Sequence, residues 1–161
     1  MSELRVGVGI DAHAFGDDAP LVLGGVDFPG ERGLVGHSDG DVVAHALIDA
    51  LLGAAGLGDI GDFFPSSDTQ WRDASSIRLL QRAYEVVKKA GFELVNADCV
   101  LVGEEPRIAP VRDAMRARLA GAMGVDLRSV SVRATTTDAL GFTGRREGLA
   151  AQAVALVRRG E

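Results

Sequence analysis

The stretch Leu4-Arg5-Val6-Gly7-Val8-Gly9-Ile10-Asp11-Ala12-His13 decides how this chain is read. From Leu4 to Ile10, Val6, Val8 and Ile10 alternate with Arg5, Gly7 and Gly9, the period of two that predicts a half-buried strand. Successive strand side chains point to opposite faces, so Asp11 and His13 fall on the face of Gly7 and Gly9. Two residues without side chains leave room there for a bound group, and a carboxylate beside an imidazole can grip one ion.

The other two histidines lie in His37-Ser38-Asp39-Gly40-Asp41-Val42-Val43-Ala44-His45. Ser38 followed by Asp41 reads as a capping box with Asp in place of Glu, and Val43, Leu47, Ala50, Leu51 and Ala54 follow at helical spacing. This predicts a helix from about 39 to 55. At 100° per residue, His45 lies about 200° around it from Val43, on the face of Asp41 and Asp49 and away from the apolar stripe. A carboxylate one turn away is then placed to orient the ring. Asp11, His13 and His45 form a ligand set that zinc accepts in catalytic sites, at roughly 2.0 to 2.2 Å with a fourth position open. Taken singly, a D-x-H pair or a solvated helix histidine needs no metal.

Outward from these segments, Leu21 to Leu23 and Val26 to Phe28 flank Gly24-Gly25 as a hairpin. Residues 56–71 have no periodicity and read as a polar, glycine-rich loop of the kind that is either functional or disordered. A helix over 74–89 closes at Gly91, and a strand over 92–102 leads into Gly103-Glu104-Glu105-Pro106-Arg107. Pro110 opens a third helix to about Met123, 129–134 is the last strand, and a final helix runs to Arg158. With no repeat and no linker, residues 1–161 are expected to form a single α/β (α+β) domain, a mixed sheet with helices packed on it. The chain has neither a G-x-G-x-x-G nor a Walker lysine motif.

The 161 residues are 47% hydrophobic but only 5% aromatic, so the core is built from Val, Leu, Ala and Ile. A net charge of −6 repels an extended polyanion, which excludes nucleic acid as the expected partner. A small phosphorylated ligand stays compatible, because a metal ion and a few arginines neutralise it locally. Cys99 is the only cysteine, which rules out an intrachain disulfide and reads as a core filler. No apolar segment precedes the first strand and no membrane span is evident, so a soluble, cytoplasmic chain is expected.

After the strand over 129–134 comes a segment, Thr135 to Arg145, that gathers hydroxyls, Asp138, glycines and an arginine. Hydroxyls, backbone N–H groups and a guanidinium hold phosphate oxygens, and Asp138 can hold a hard cation that bridges them. The plainer alternative is a Thr-rich strand end and a glycine turn, with Arg145 and Arg146 solvated. A metal-ligand set elsewhere in the chain favours the phosphate grip, because the two recur together in phosphoryl-transfer enzymes.

Five motifs, in order, resemble the 2-C-methyl-D-erythritol 2,4-cyclodiphosphate synthase family: I-D-A-H-A-F at Ile10 to Phe15, H-S-D-G-D-V-V-A-H at His37 to His45, G-D-I-G at Gly58 to Gly61, F-P-S-S-D at Phe64 to Asp68, and A-T-T-T-D-A-L-G-F-T-G-R at Ala134 to Arg145. The resemblance runs from about Val6 to Leu156. It implies a lyase of the non-mevalonate isoprenoid route that cyclises 4-diphosphocytidyl-2-C-methyl-D-erythritol 2-phosphate and releases CMP. By the same resemblance Asp11, His13 and His45 hold Zn²⁺, with Asp11 and His13 also beside the substrate. His37 and Ser38 hold the 2-phosphate, and His37 and Thr136 are the catalytic residues. Asp59, Ile60, Gly61, Phe64, Pro65, Ser66, Ser67 and Asp68 line the methylerythritol pocket, the last five as a mobile loop, and Asp49 is a further substrate-binding residue. Gly103, Glu104, Glu105, Pro106, Arg107, Ile108, Ala109, Thr135, Thr136, Thr137 and Asp138 bind the cytidine diphosphate. Asp138 holds a second ion, Mg²⁺ or Mn²⁺, and Phe142 and Arg145 complete the substrate-contacting set. The resemblance further implies a homotrimer with active sites between subunits and helices on one side of each sheet.

The chain departs from the family pattern at Asp138, where Glu is frequent, at Arg107 for Lys, at Ser66 for Asp and at Arg146 for Gly. A zinc-dependent phosphodiesterase or pyrophosphatase, with Asp39 or Asp41 activating water, is the competing chemistry. A non-catalytic trimeric binding module is a third class, against which the intact Asp11, His13, His45 and Thr136 argue.

Overall fold

β1 spans Leu4–Gly16 in the computed structural model, which describes residues 3–161. It has the expected period of two, but the buried face is the glycine face. Leu4, Val6, Val8 and Ile10 are 55 to 68% exposed, whereas Gly7 and Gly9 are buried. The cause is a helix, not a ligand. A Cβ on Gly7 would stand 2.1 Å from the Ala50 carbonyl oxygen, and one on Gly9 1.9 Å from that of Ala46. Only glycine lets α1 (Val42–Ala54) lie this close to the strand.

Between β1 and α1, β2 (Val22–Leu23) and β3 (Val26–Asp27) form the expected hairpin, with Gly24 and Gly25 at φ of 56° and 75°. β4 (Gly33–Leu34) adds a short edge pairing to β1. The α1 N-cap is Asp41 rather than Ser38. Its carboxylate accepts from the N–H of Ala44 and also from those of Gly24 and Gly25, which ties the helix start to the hairpin. α1 is buried on nearly every side, between the sheet and the helix over Ser76–Lys89, so it has no solvent face for His45 to occupy.

The loop over 56–71 is partly ordered. It contains α2 (Ile60–Phe63), with a capping box between Asp59 and Asp62, and a 3₁₀ turn at Thr69–Trp71. α3 (Ser76–Lys89) ends before Gly91, whose φ is 91°, as expected, and β5 (Phe92–Val102) has the expected bounds. Pro110 lies in a 3₁₀ turn, Ala109–Val111, that precedes α4 (Arg112–Met123). β6 (Val130–Thr135) and α5 (Gly141–Gly144) lead to β7 (Gly148–Arg159).

β7 overturns the expected final helix. Its alanines favour a helix by less than 1 kcal/mol per residue, and tertiary burial overrides that preference. Leu149, Ala151, Ala153, Ala155 and Val157 are buried at alternate positions under α1. The sheet order is β4-β1-β7-β5-β6, with β7 antiparallel to both neighbours and β5 parallel to β6. Helices cover one face of this mixed sheet, as expected, and Leu4, Val6, Val8, Ile10 and Val154 leave the other apolar and open. Cys99 is a core filler, and burial pushes its thiol up to about 12. Among the described residues no helix is long and apolar enough to cross a membrane.

Candidate metal centre

Asp11 and His13 project from the helix face of β1, and His45 reaches them from the first turns of α1. Asp11 Oδ2 lies 2.9 Å from His13 Nε2 and 3.0 Å from His45 Nδ1. The ligand atoms of all three residues fall within 4.8 Å of one another. The His13 Nε2 is buried and, although near Asp11, makes no aligned hydrogen bond. A buried orphan nitrogen is costly unless something else takes its lone pair. Two imidazole nitrogens and a carboxylate oxygen converging on one point suit a divalent ion of the zinc type.

The hydrogen bonds around His45 fix which nitrogen it offers. Ser76 donates its hydroxyl to Asp39, whose other carboxylate oxygen accepts from the Ser76 N–H at 2.9 Å. The Ser76 Oγ, 2.8 Å from His45 Nε2, is therefore an acceptor, and the Ser38 Oγ stands 2.9 Å from the same nitrogen. The ring then carries a proton on Nε2, which makes Nδ1, 3.0 Å from Asp11 Oδ2, the nitrogen that a metal ion would take. Ser76, a residue the sequence reading missed, thus does what was expected of Asp41 or Asp49. Asp41 is committed to the helix cap, and Asp49 accepts from the Ile60 N–H at 2.7 Å, holding α2 against the site. Asp39 and Asp41 both have their oxygens engaged with N–H and O–H donors, which leaves a water-activating hydrolase without its base.

Charge follows the same geometry. Burial pushes the Asp11 carboxyl up, but the imidazoles of His13 and His45 beside it outweigh that and bring it down to about 2. Asp11 in turn raises the His13 pKa against the effect of burial. Burial lifts Asp41 to about 6 and also raises Asp49.

Over the three ligands opens a cavity of about 240 Å³ lined by His37, Ser38, Ile60, Gly61, Phe64 and Ser66. His37 Nε2 is 3.4 Å from the Asp68 carbonyl oxygen. Asp59, Pro65, Ser67 and Asp68 do not line it; Asp59 caps α2 and Asp68 caps the 3₁₀ turn. Trp71, not anticipated, closes the cavity edge-on to Phe64 with ring centres 4.9 Å apart. Its being the only tryptophan, beside an aperiodic loop, was the available signal.

A second cleft, of about 310 Å³, opens where β5 and β6 end. It is lined by Gly103, Glu104, Pro106, Arg107, Ile108, Ala109, Thr135 and Thr136, with Arg112 as an unanticipated addition. Glu104 accepts from the N–H groups of Thr137 and Ala139, so those donors are already occupied. Thr137 turns its hydroxyl to the Leu140 carbonyl, and Asp138, at φ 52°, accepts from the Thr136 hydroxyl. Glu105, Thr137, Asp138, Phe142 and Arg145 lie outside this lining. Arg145 is paired with Glu147 and Phe142 is exposed. Arg146 has φ 59°, which explains why glycine suits its position, and it pairs with Glu105.

The two cavities share no lining residue. Asp11, Ala151, Leu101 and Ala134 form one row across β1, β7, β5 and β6. Three strand spacings separate its ends, roughly 14 Å.

The YgbB family model matches residues 4–158. The chain is 58% identical to the 2-C-methyl-D-erythritol 2,4-cyclodiphosphate synthase of Rubrobacter xylanophilus, across 99% of this chain and 98% of the relative. The bifunctional IspDF of Campylobacter jejuni superposes with a TM-score of 0.96 at 42% identity; it covers this chain in full, and this chain spans 44% of that longer protein. The IspF of Plasmodium falciparum, solved as a CDP complex, gives a TM-score of 0.86 at 27% identity, covering 100% of this chain and 99% of its own.

Proposed function

The chain belongs to the YgbB family of 2-C-methyl-D-erythritol 2,4-cyclodiphosphate synthases, lyases of the non-mevalonate isoprenoid route, and from that premise we propose which of its residues carry the cyclisation. The observation that carries the reading is the convergence of the Asp11, His13 and His45 ligand atoms within 4.8 Å of one another. Asp11, His13 and His45 would hold Zn²⁺, and Asp138 would hold a second divalent ion, Mg²⁺ or Mn²⁺. Together these ions would withdraw charge from the diphosphate.

The remaining work is placement. An oxygen of the substrate's own 2-phosphate forms the new P–O bond as the P–O bond to CMP breaks, so no protein nucleophile is needed. Cys99 is buried and Ser76 is engaged, consistent with that. His37 and Ser38, at the mouth of the metal cavity, hold the 2-phosphate. Ile60, Gly61, Phe64 and Ser66 enclose the methylerythritol, and Asp49 keeps α2 in place for it. The loop 103–109, with Thr135 and Thr136, takes the cytidine diphosphate, and Thr136 steadies the departing phosphate.

We further propose that residues 1–161 act as one domain within a cytoplasmic homotrimer whose sites form between subunits. Two observations support the assembly: the open apolar face of β1, and a metal cavity and nucleotide cleft that share no lining residue within one chain. Metal analysis of the purified protein tests the ligand set. About one zinc per chain is expected, with most of it lost in His45→Ala; full retention in that variant contradicts the assignment.

A further inference from the structure

The cleft at the β5–β6 end carries two guanidinium groups. Arg107 lies on its rim loop, and Arg112, the first residue of α4, lines the same cleft with Thr135 and Thr136. Nine arginines are ion-paired, whereas Arg107 and Arg112, like Arg72, Arg78, Arg82 and Arg118, pair with no carboxylate among the described residues; of these six only Arg107 and Arg112 line the cleft. The nearby acids are engaged elsewhere: Asp113 with Arg116, Glu105 with Arg146, and Glu104 with the N–H groups of Thr137 and Ala139.

Arg112 also occupies an unfavourable place for the fold. It stands at the start of a 12-residue helix, where the dipole favours anions and opposes a cation. An unpaired guanidinium at that position, in a cleft shared with a second one and with two threonines, is arranged for negative charge brought from outside.

We infer that Arg112 is a second anion-binding residue of this cleft, which with Arg107 grips the two phosphates of a nucleoside diphosphate. The inference rests on the nucleotide-site reading above. Two guanidiniums give a two-point grip on a diphosphate, and the second adds a charge term that a neutral nucleoside does not feel.

The test is calorimetric titration with CDP and with cytidine, plus thermal unfolding, on the wild type, Arg112→Ala and Arg112→Lys. Arg112→Ala should bind CDP about tenfold more weakly, with a shallower salt dependence, while cytidine affinity stays the same. Its Tm should be unchanged or higher, because a cation has left a helix N-terminus. Arg112→Lys should recover part of the affinity. Wild-type CDP affinity in Arg112→Ala overturns the inference, and so does an equal loss for cytidine, which would assign Arg112 to the base. A fall in Tm without a selective loss of CDP overturns it as well, making the residue structural. A wild type that cyclises its substrate but binds no CDP sinks this inference alone. A wild type that does neither sinks the nucleotide-site reading with it.

Discussion

Gly9→Ala tests the link between strand packing and the metal centre. The added Cβ would stand 1.9 Å from the Ala46 carbonyl oxygen and 2.8 Å from the Ala50 nitrogen, whereas real Cβ contacts essentially never fall below 3.0 Å. The opposing atoms are backbone, so no side chain can turn away, and α1 has to back off by at least about 1.1 Å at that point. His45 is the residue next to Ala46 and travels with it. Metal sites tolerate only about 0.2 Å of error in ligand distance, so the displacement is several times what the site can absorb. Overpacking of this kind costs about 1 to 3 kcal/mol, roughly 2 to 12 °C in Tm for a chain of this size. Gly121→Ala is the matched control. It lies inside α4 with nothing within 4 Å of the added Cβ and should gain about 0.5 to 1 kcal/mol. Thermal unfolding and metal content are measured on both. A Gly9→Ala protein with wild-type Tm and a full metal complement would refute the argument.

The tautomer argument predicts that Ser76→Ala stays folded but weakens zinc binding by roughly tenfold, because His45 loses the acceptor that fixes its ring; an unchanged affinity in a competitive chelator titration counts against it. Zinc should bind more tightly at pH 8 than at pH 6, since Asp11 raises the His13 pKa above 6.5 and the ion needs that nitrogen unprotonated. In the metal-free protein the same shift has the opposite sign: its stabilisation is complete below pH 6.5 and disappears as pH rises through the raised value. Equal zinc affinities at the two pH values would remove His13 from the ligand set. Asp41→Asn should cost about 1 to 3 kcal/mol, because one amide cannot accept from all of Gly24, Gly25 and Ala44. With the Asp41 pKa raised to about 6 from 3.8, the wild-type advantage should shrink as pH rises from about 4 to about 6 in denaturant unfolding. An advantage that grows over that window would show the sign to be wrong.

The ligands were legible because strand alternation places Asp11 and His13 on one side whatever packs there. What packs there was not legible: Gly7 and Gly9 read as space for a ligand, and only the position of α1 shows that the space belongs to a helix backbone. The same helix explains the misread end of the chain. The alanines of β7 look helical locally, and their small size serves the close approach of α1 to a central strand, a fact of tertiary packing. Ser76 could not be tied to His45 from the sequence, since 31 residues separate them and a serine at a helix start reads as a cap. Arg112 was hidden in a similar way, as one more charge on an amphipathic helix until the 3₁₀ turn aims it into the cleft.

The reaction assigned to this chain is a metal-dependent closure of a phosphate onto a diphosphate within one substrate molecule. Phosphorus NMR of the products that the purified protein forms from 4-diphosphocytidyl-2-C-methyl-D-erythritol 2-phosphate tests it most directly. The geometry predicts a cyclic diphosphate with one equivalent of CMP, formed with metal and abolished by a chelator. Linear phosphates carrying oxygen from labelled water, or turnover that ignores the chelator, would contradict it.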